Sequence, residues 1–228
     1  ELLVSKACMD PVISSFLSIW GYEEMYHGEA FLKFLRSYGV KIDDDRPSQI
    51  RLGEGFHRAS SVMTVLFGSY LVPFFPAVYL TIGATNELMT LTGYQQLINR
   101  ANHPVLTQMV QRIIKQERMH YAFYRSQAER LMLDSAPARA AVRYVMTNRF
   151  RAVGEGIKSV EDVNLLAAFL FGGEDGRAAV RAIDVAIARL PGMHGVNLLE
   201  RLLDRAETDL GLPSTAGLAC VRPIESAA

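Results

Sequence analysis

Pro104-Val-Leu-Thr-Gln-Met-Val-Gln-Arg-Ile-Ile-Lys-Gln-Glu117-Arg-Met-His120-Tyr-Ala-Phe-Tyr124 decides how this chain is read. Leu106, Met109, Val110 and Ile113 return at spacings of three and four, the period of a helix with one buried face. Asn102-His103 ahead of Pro104 is a helix-start turn, because proline suits a first helical position and lacks only an amide that would go unused there. The stripe then continues through Glu117, His120 and Tyr124. A carboxylate in a position reserved for core residues needs a reason. Left without a partner it would cost several kcal/mol or take up a proton.

The same anomaly occurs on two other long helical stretches. From Pro11, behind an Asp10 cap, the stripe Ile13, Phe16, Trp20 continues to Glu24, His27 and Phe31, and Gly39 ends the run. In a helix expected over about Ala77 to Arg100, Leu80, Gly83 and Ala84 continue to Glu87, Leu91 and Tyr94. No Lys or Arg falls nearby on these stripes. Something positive must therefore sit between the helices, and a metal is the economical answer.

Glu24-Met-Tyr-His27 and Glu117-Arg-Met-His120 share the pattern Glu-x-x-His. At i and i+3 on a helix both side chains project from one face, about 4.5 Å apart along the axis. One such pair arises easily by chance; two on core-facing helices, with a lone Glu87 between them, is a much stronger signal. Carboxylates that bridge two irons, with one imidazole for each, are the ligand set of di-iron carboxylate bundles. The competing reading is a Glu–His hydrogen bond buried within each helix, with no metal. A third match, Glu54-Gly-Phe-His57, stands between glycines on no apolar stripe and is read as a solvated helix start. His103 belongs to the turn before Pro104, and His194 to a loop after Pro191.

The remainder of the chain sets the class. Its 228 residues are half hydrophobic, and 24 basic residues balance 24 acidic ones. Such a chain builds a sizeable core, is not disordered, and has no global basic surface for nucleic acid. Cys8 and Cys220 make neither a disulfide framework nor a cysteine metal site, and no signal-peptide pattern is visible, so a cytoplasmic setting is expected. Ala59 to Asn86 carries no charge, but Pro73 and Pro76 interrupt it and no basic flank marks a side, so it is read as buried core helix and not as a membrane span. Lys41 to Pro47 is a polar connection. Shorter amphipathic helices are expected over Ala138 to Phe150, Ser159 to Phe171, Arg177 to Leu190 and Val196 to Leu210, with breaks at Gly172-Gly173 and Pro191-Gly192. Ser159-Val-Glu-Asp162 is a capping box for one of them. Alternating strand patterns are absent. The expectation is one all-α domain over 1–228, with core helices to about 133, outer helices to about 212, and a loose tail from 213 to 228.

Trp20-Gly-Tyr-Glu-Glu24-Met-Tyr-His27-Gly28, Asn86-Glu87-Leu-Met-Thr90 and Gln116-Glu117-Arg-Met-His120 resemble the corresponding stretches of the soluble acyl-acyl-carrier-protein desaturases, a branch of the ferritin-like di-iron proteins. A weaker likeness continues through Ser159-Val-Glu-Asp-Val and Arg189-Leu190-Pro191. The resemblance implies a ferritin-like four-helix di-iron bundle with additional C-terminal helices. It implies an oxygen-dependent oxidoreductase that introduces a double bond into a fatty acyl chain carried on acyl carrier protein. Two Fe ions would be held by Glu24, His27, Glu87, Glu117 and His120, and electrons would come from a ferredoxin-type donor. Thr90, one turn beyond Glu87, is the candidate catalytic hydroxyl, with a packed core threonine as the other reading. Met63, Phe67, Phe74, Phe75 and Tyr79 are candidates for the wall of a substrate channel. A homodimer is expected.

Two departures stand out. The family carries a further Glu on a helix before Glu24; that ligand is expected upstream of Glu1, with Glu1 itself a poor substitute. Gln116 stands where the family commonly has an acid beside a ligand histidine. Other readings are a di-iron hydroxylase or N-oxygenase, an iron-storage protein, and a non-catalytic ferritin-like homologue. Some sites of the hydroxylase and N-oxygenase kind add a further histidine to the metal-ligand helices, and Ile113, four residues before Glu117, gives that reading no support. Lys33, Arg36, Lys41, Arg46 and Arg51 could receive an acidic carrier protein, but Asp43 to Asp45 interleave them, and a solvated surface is the simpler reading.

Overall fold

The structure, a computed structural model, describes residues 10–42, 74–151, 154–155 and 158–212. Seven helices and no strand occur among the described residues: α1 Pro11–Ser37, α2 Phe75–Ala101, α3 Pro104–Leu133, α4 Ala136–Asn148, α5 Val160–Phe171, α6 Gly173–Ala188 and α7 Leu199–Asp209. The all-helical expectation holds. The chain divides into two compact units, residues 1–76 with 224–228, and residues 77–223. Glu1, Glu54, His57, Met63 and Phe67 lie outside the described residues, as do the tail from 213 and most of the uncharged stretch that ends at Asn86. None of the described helices is long and apolar enough to cross a membrane.

In the first unit, α1 starts where Asp10 accepts a hydrogen bond from the Val12 amide at 2.9 Å, with Pro11 as its first residue. It stops at Gly39, whose φ of +78° lets the Val40 amide donate back to the Leu35 carbonyl at 3.1 Å. Ile13, Leu17 and His27 are its buried positions.

In the second unit, α2 and α3 meet through a two-residue turn. Asn102 takes a left-handed φ of +46°, which asparagine tolerates, and His103 Nδ1 accepts from the Leu106 amide at 3.2 Å. His103 is thus a cap, as its place in the sequence indicates. Leu106, Val110, Ile113, Glu117, His120, Tyr124, Ala128 and Met132 form the buried stripe of α3. Gly83 of α2 lies against the Tyr124 ring so closely that a β-carbon there would overlap it. Higher on α2, Thr81 and Thr85 donate their hydroxyls to the carbonyls of Ala77 and Thr81, which makes them acceptable in the core.

The later helices close on one another. α4 packs against α3, with Arg139 donating to the Met132 and Leu133 carbonyls at the α3 C-terminus. α5, α6 and α7 pack mutually. Ser159 Oγ accepts from the Asp162 amide at the head of α5, and Arg100 from the end of α2 donates to the Gly172 carbonyl at 2.6 Å between α5 and α6. Arg177 of α6 pairs with Asp204 and Glu207 of α7. Burial opposes its charge, but the hydrogen bonds to Asp204 and Glu207 outweigh that and hold the guanidinium pKa above its ordinary value. α7 has no cap of its own. The buried Asp184 of α6 supplies one, accepting from the amides of Leu198, Leu199 and Glu200 at 3.0–3.1 Å.

Candidate metal centre

Three of the sequence-predicted ligands meet in the second unit. Glu117 and His120 lie one turn apart on the buried stripe of α3, and Glu87 reaches them from α2. His120 Nδ1 stands 3.3 Å from Glu117 Oε2 and 3.7 Å from Glu87 Oε2. One donor atom from each of the three lies within 4.8 Å of the others. Glu117 has no exposed surface, His120 is 2% exposed and Glu87 6%.

This packing follows from the sequence. The i, i+3 spacing puts Glu117 and His120 on one face. The close Gly83–Tyr124 approach, one turn from each site residue along both helices, draws α2 and α3 together there. Tyr79 packs on the other side of the contact, its ring 6.4 Å from that of Tyr124. Arg112, Lys115 and Arg118, the basic residues of this part of α3, are exposed.

The charges favour a cation. Two buried carboxylates carry two negative charges, and one imidazole, even protonated, returns a single positive one. The distances fit as well. Donors each about 2.1 Å from one ion stand about 3.0–3.4 Å apart at octahedral to tetrahedral angles, close to the 3.3 and 3.7 Å separations found here. Carboxylate and imidazole donors suit iron, manganese or zinc and lack the thiolates that softer ions select. The cluster can hold a metal ion.

In the first unit, Glu24 and His27 also lie one turn apart on α1, with His27 Nδ1 3.6 Å from Glu24 Oε1. His27 is 4% exposed and Glu24 is half-buried. Each Glu-x-x-His pair thus turns its imidazole Nδ1 toward its own carboxylate. Thr90, one turn beyond Glu87, and Gln116, beside Glu117, are half-buried. Of the channel candidates, Phe74 precedes α2 and Phe75 opens it, and both are half-buried, like Tyr79.

A cavity of about 380 Å³ is found elsewhere in the second unit, bounded by Met89 and by residues of α5, α6 and α7. Tyr79, the described channel candidate of this unit, does not line it. The sequence reading passed over this feature. Its signal was the composition of α5, Val160-Glu-Asp-Val-Asn-Leu-Leu-Ala-Ala-Phe-Leu-Phe171, which is more apolar than one buried face requires.

Comparison with protein-family models, with curated proteins and with solved structures finds no match to the chain.

Proposed function

We propose that the chain is an oxygen-dependent di-iron oxidoreductase that introduces a double bond into a fatty acyl chain carried on acyl carrier protein. The observation that carries the reading is the buried Glu87–Glu117–His120 cluster on α2 and α3. The second Glu-x-x-His pair, Glu24 and His27 on α1, repeats the same turn-spaced geometry. The likeness of the surrounding sequence to the acyl-carrier-protein desaturases supplies the substrate class.

In this reading Glu24 and His27 join Glu87, Glu117 and His120 in a ferritin-like four-helix bundle, and the five residues hold two iron ions. Bound iron in its reduced form would supply the reaction with dioxygen that removes two hydrogens from neighbouring carbons. The residues of the chain do the rest. The carboxylates of Glu24, Glu87 and Glu117 carry three negative charges, which one divalent ion would offset incompletely and two would offset in full. His27 and His120 fix the nitrogen donors. Burial of Glu117 and His120 excludes water, so that a reactive centre meets substrate and not solvent. The Thr90 hydroxyl lies one turn from Glu87, where it can hold or pass a proton at its Oγ1. A ferredoxin-type donor supplies electrons, and the enzyme acts as a homodimer.

The test is incubation with reductant, oxygen and a panel of acyl-carrier substrates, followed by mass analysis of the chains. A loss of two mass units is the expected result. A gain of sixteen would replace desaturation by hydroxylation, and unchanged chains with a fully iron-loaded protein would overturn the reading.

A further inference from the structure

The cavity bounded by α5, α6 and α7 has the makings of a second binding site. Of the sixteen described residues that line it, ten are apolar, with Met89, Val163, Val180 and Leu202 drawn from four different helices. Its volume of about 380 Å³ falls within the range of about 300–1,000 Å³ usual for small-molecule sites. It is partly open to solvent, with exposed Arg151, Lys158 and Arg205 in its lining beside the buried Val180, Leu199 and Leu203.

The polar residues of the lining are not balanced. Among the described lining residues Arg151, Lys158 and Arg205 outnumber Glu155 and Asp209, an excess of one positive charge. The three basic side chains are exposed, and none forms an ion pair with a described residue. Asp209 is engaged, accepting from Asn164 Nδ2 at 3.1 Å. An occupant that matches both features has an apolar chain for the helix-lined interior and a single negative charge for the basic residues.

We propose that this cavity binds a single-chain amphiphile with a carboxylate head, of the free fatty acid type, its tail between α5, α6 and α7 and its head beside Arg151, Lys158 and Arg205. The site is separate from the metal cluster in its residues and needs no metal. Met89, two residues beyond Glu87 on α2, forms part of its wall, so occupancy bears on a helix that also carries a cluster residue.

Calorimetric titration of the full chain with dodecanoate, below its micellar concentration, tests this in the absence of added metal. Parallel titrations use dodecanol, dodecyl phosphate and dodecylamine, with the double variant Lys158→Glu/Arg205→Glu as the control. One dodecanoate per chain is expected, with dodecanol and dodecylamine at least about tenfold weaker. Exposed ion pairs are each worth up to about fivefold in affinity, so reversing two charges should weaken dodecanoate by about tenfold or more. Both substituted residues are exposed, and an unchanged melting temperature would show that the variant is folded. Phosphate binding tighter than carboxylate would overturn the assignment of the head group. Equal binding of all four probes, an unaltered affinity in the folded variant, or no saturable binding would overturn the proposal. Failure here leaves the metal reading untouched, because iron binding is measured independently.

Discussion

Glu117→Gln separates a metal centre from a buried hydrogen-bonded cluster because the two accounts predict opposite signs. Glu117 and Glu87 place oxygens within 4.8 Å of each other in a buried setting. At that distance two like charges repel by about 3.5 kcal/mol at an effective dielectric of about 20. A proton on His120 or on one carboxylate relieves part of this, leaving about 1–3 kcal/mol of strain in the metal-free protein. Glutamine keeps the shape and removes the charge, so the metal-free variant should be more stable than the wild type by about 1–3 kcal/mol. With a divalent ion at a hundred times its dissociation constant, the wild type should gain about 2.7 kcal/mol, or about 5–10 °C in melting temperature for a chain of this size. The variant, lacking a charged ligand, should gain less than about 1 kcal/mol at the same concentration. The assay is thermal unfolding with chelator and with anaerobic Fe(II), for both proteins. A cluster that only hydrogen-bonds would behave otherwise: the substitution would weaken a charged hydrogen bond to His120 and cost about 1–3 kcal/mol, with no metal-dependent shift in either protein. That outcome would refute the reasoning.

Other substitutions test the parts around it. His120→Ala should lower bound iron toward one per chain while the α3 stripe keeps the helix folded, a result read by iron analysis alongside circular dichroism. Gly83→Ala would gain about 1 kcal/mol of helix propensity on an exposed surface. Here the new β-carbon meets the buried Tyr124 ring, so a net loss of about 1–3 kcal/mol is expected by denaturant unfolding. Asp184→Ala removes the acceptor for three amides at the head of α7 and should cost about 2–4 kcal/mol; a change under about 0.5 kcal/mol would show that water replaces it.

Much of this architecture can be read from the sequence where the signals are local. α3 begins at Pro104 because the turn residues stand immediately before it, and α1 ends at Gly39 because a glycine supplies the left-handed position there. Less local boundaries are harder. α6 begins at Gly173, four residues before the Arg177 expected, because Gly172 gives the extended cap and Glu174 and Asp175 favour the positive end of the helix. α7 begins at Leu199 and not at Val196, since its cap comes from Asp184, fifteen residues away from the Leu199 amide on another helix. For the site, the ligand types and their i, i+3 spacing are legible because a carboxylate in an apolar stripe is too costly to be incidental. What no local pattern contains is the meeting of Glu87 with His120, which depends on how α2 packs against α3. The cavity beside α5 was hidden for a related reason: an apolar wall and an ordinary core face have the same sequence period.

The most direct test of the account is the amount of iron that the chain binds. Anaerobic titration of the metal-free protein with Fe(II), followed by removal of loosely held ions, should end at two irons per chain, with the second lost in His120→Ala and both weakened in Glu117→Gln. Retention of no iron by the folded protein, or of the same amount by all three proteins, would contradict it.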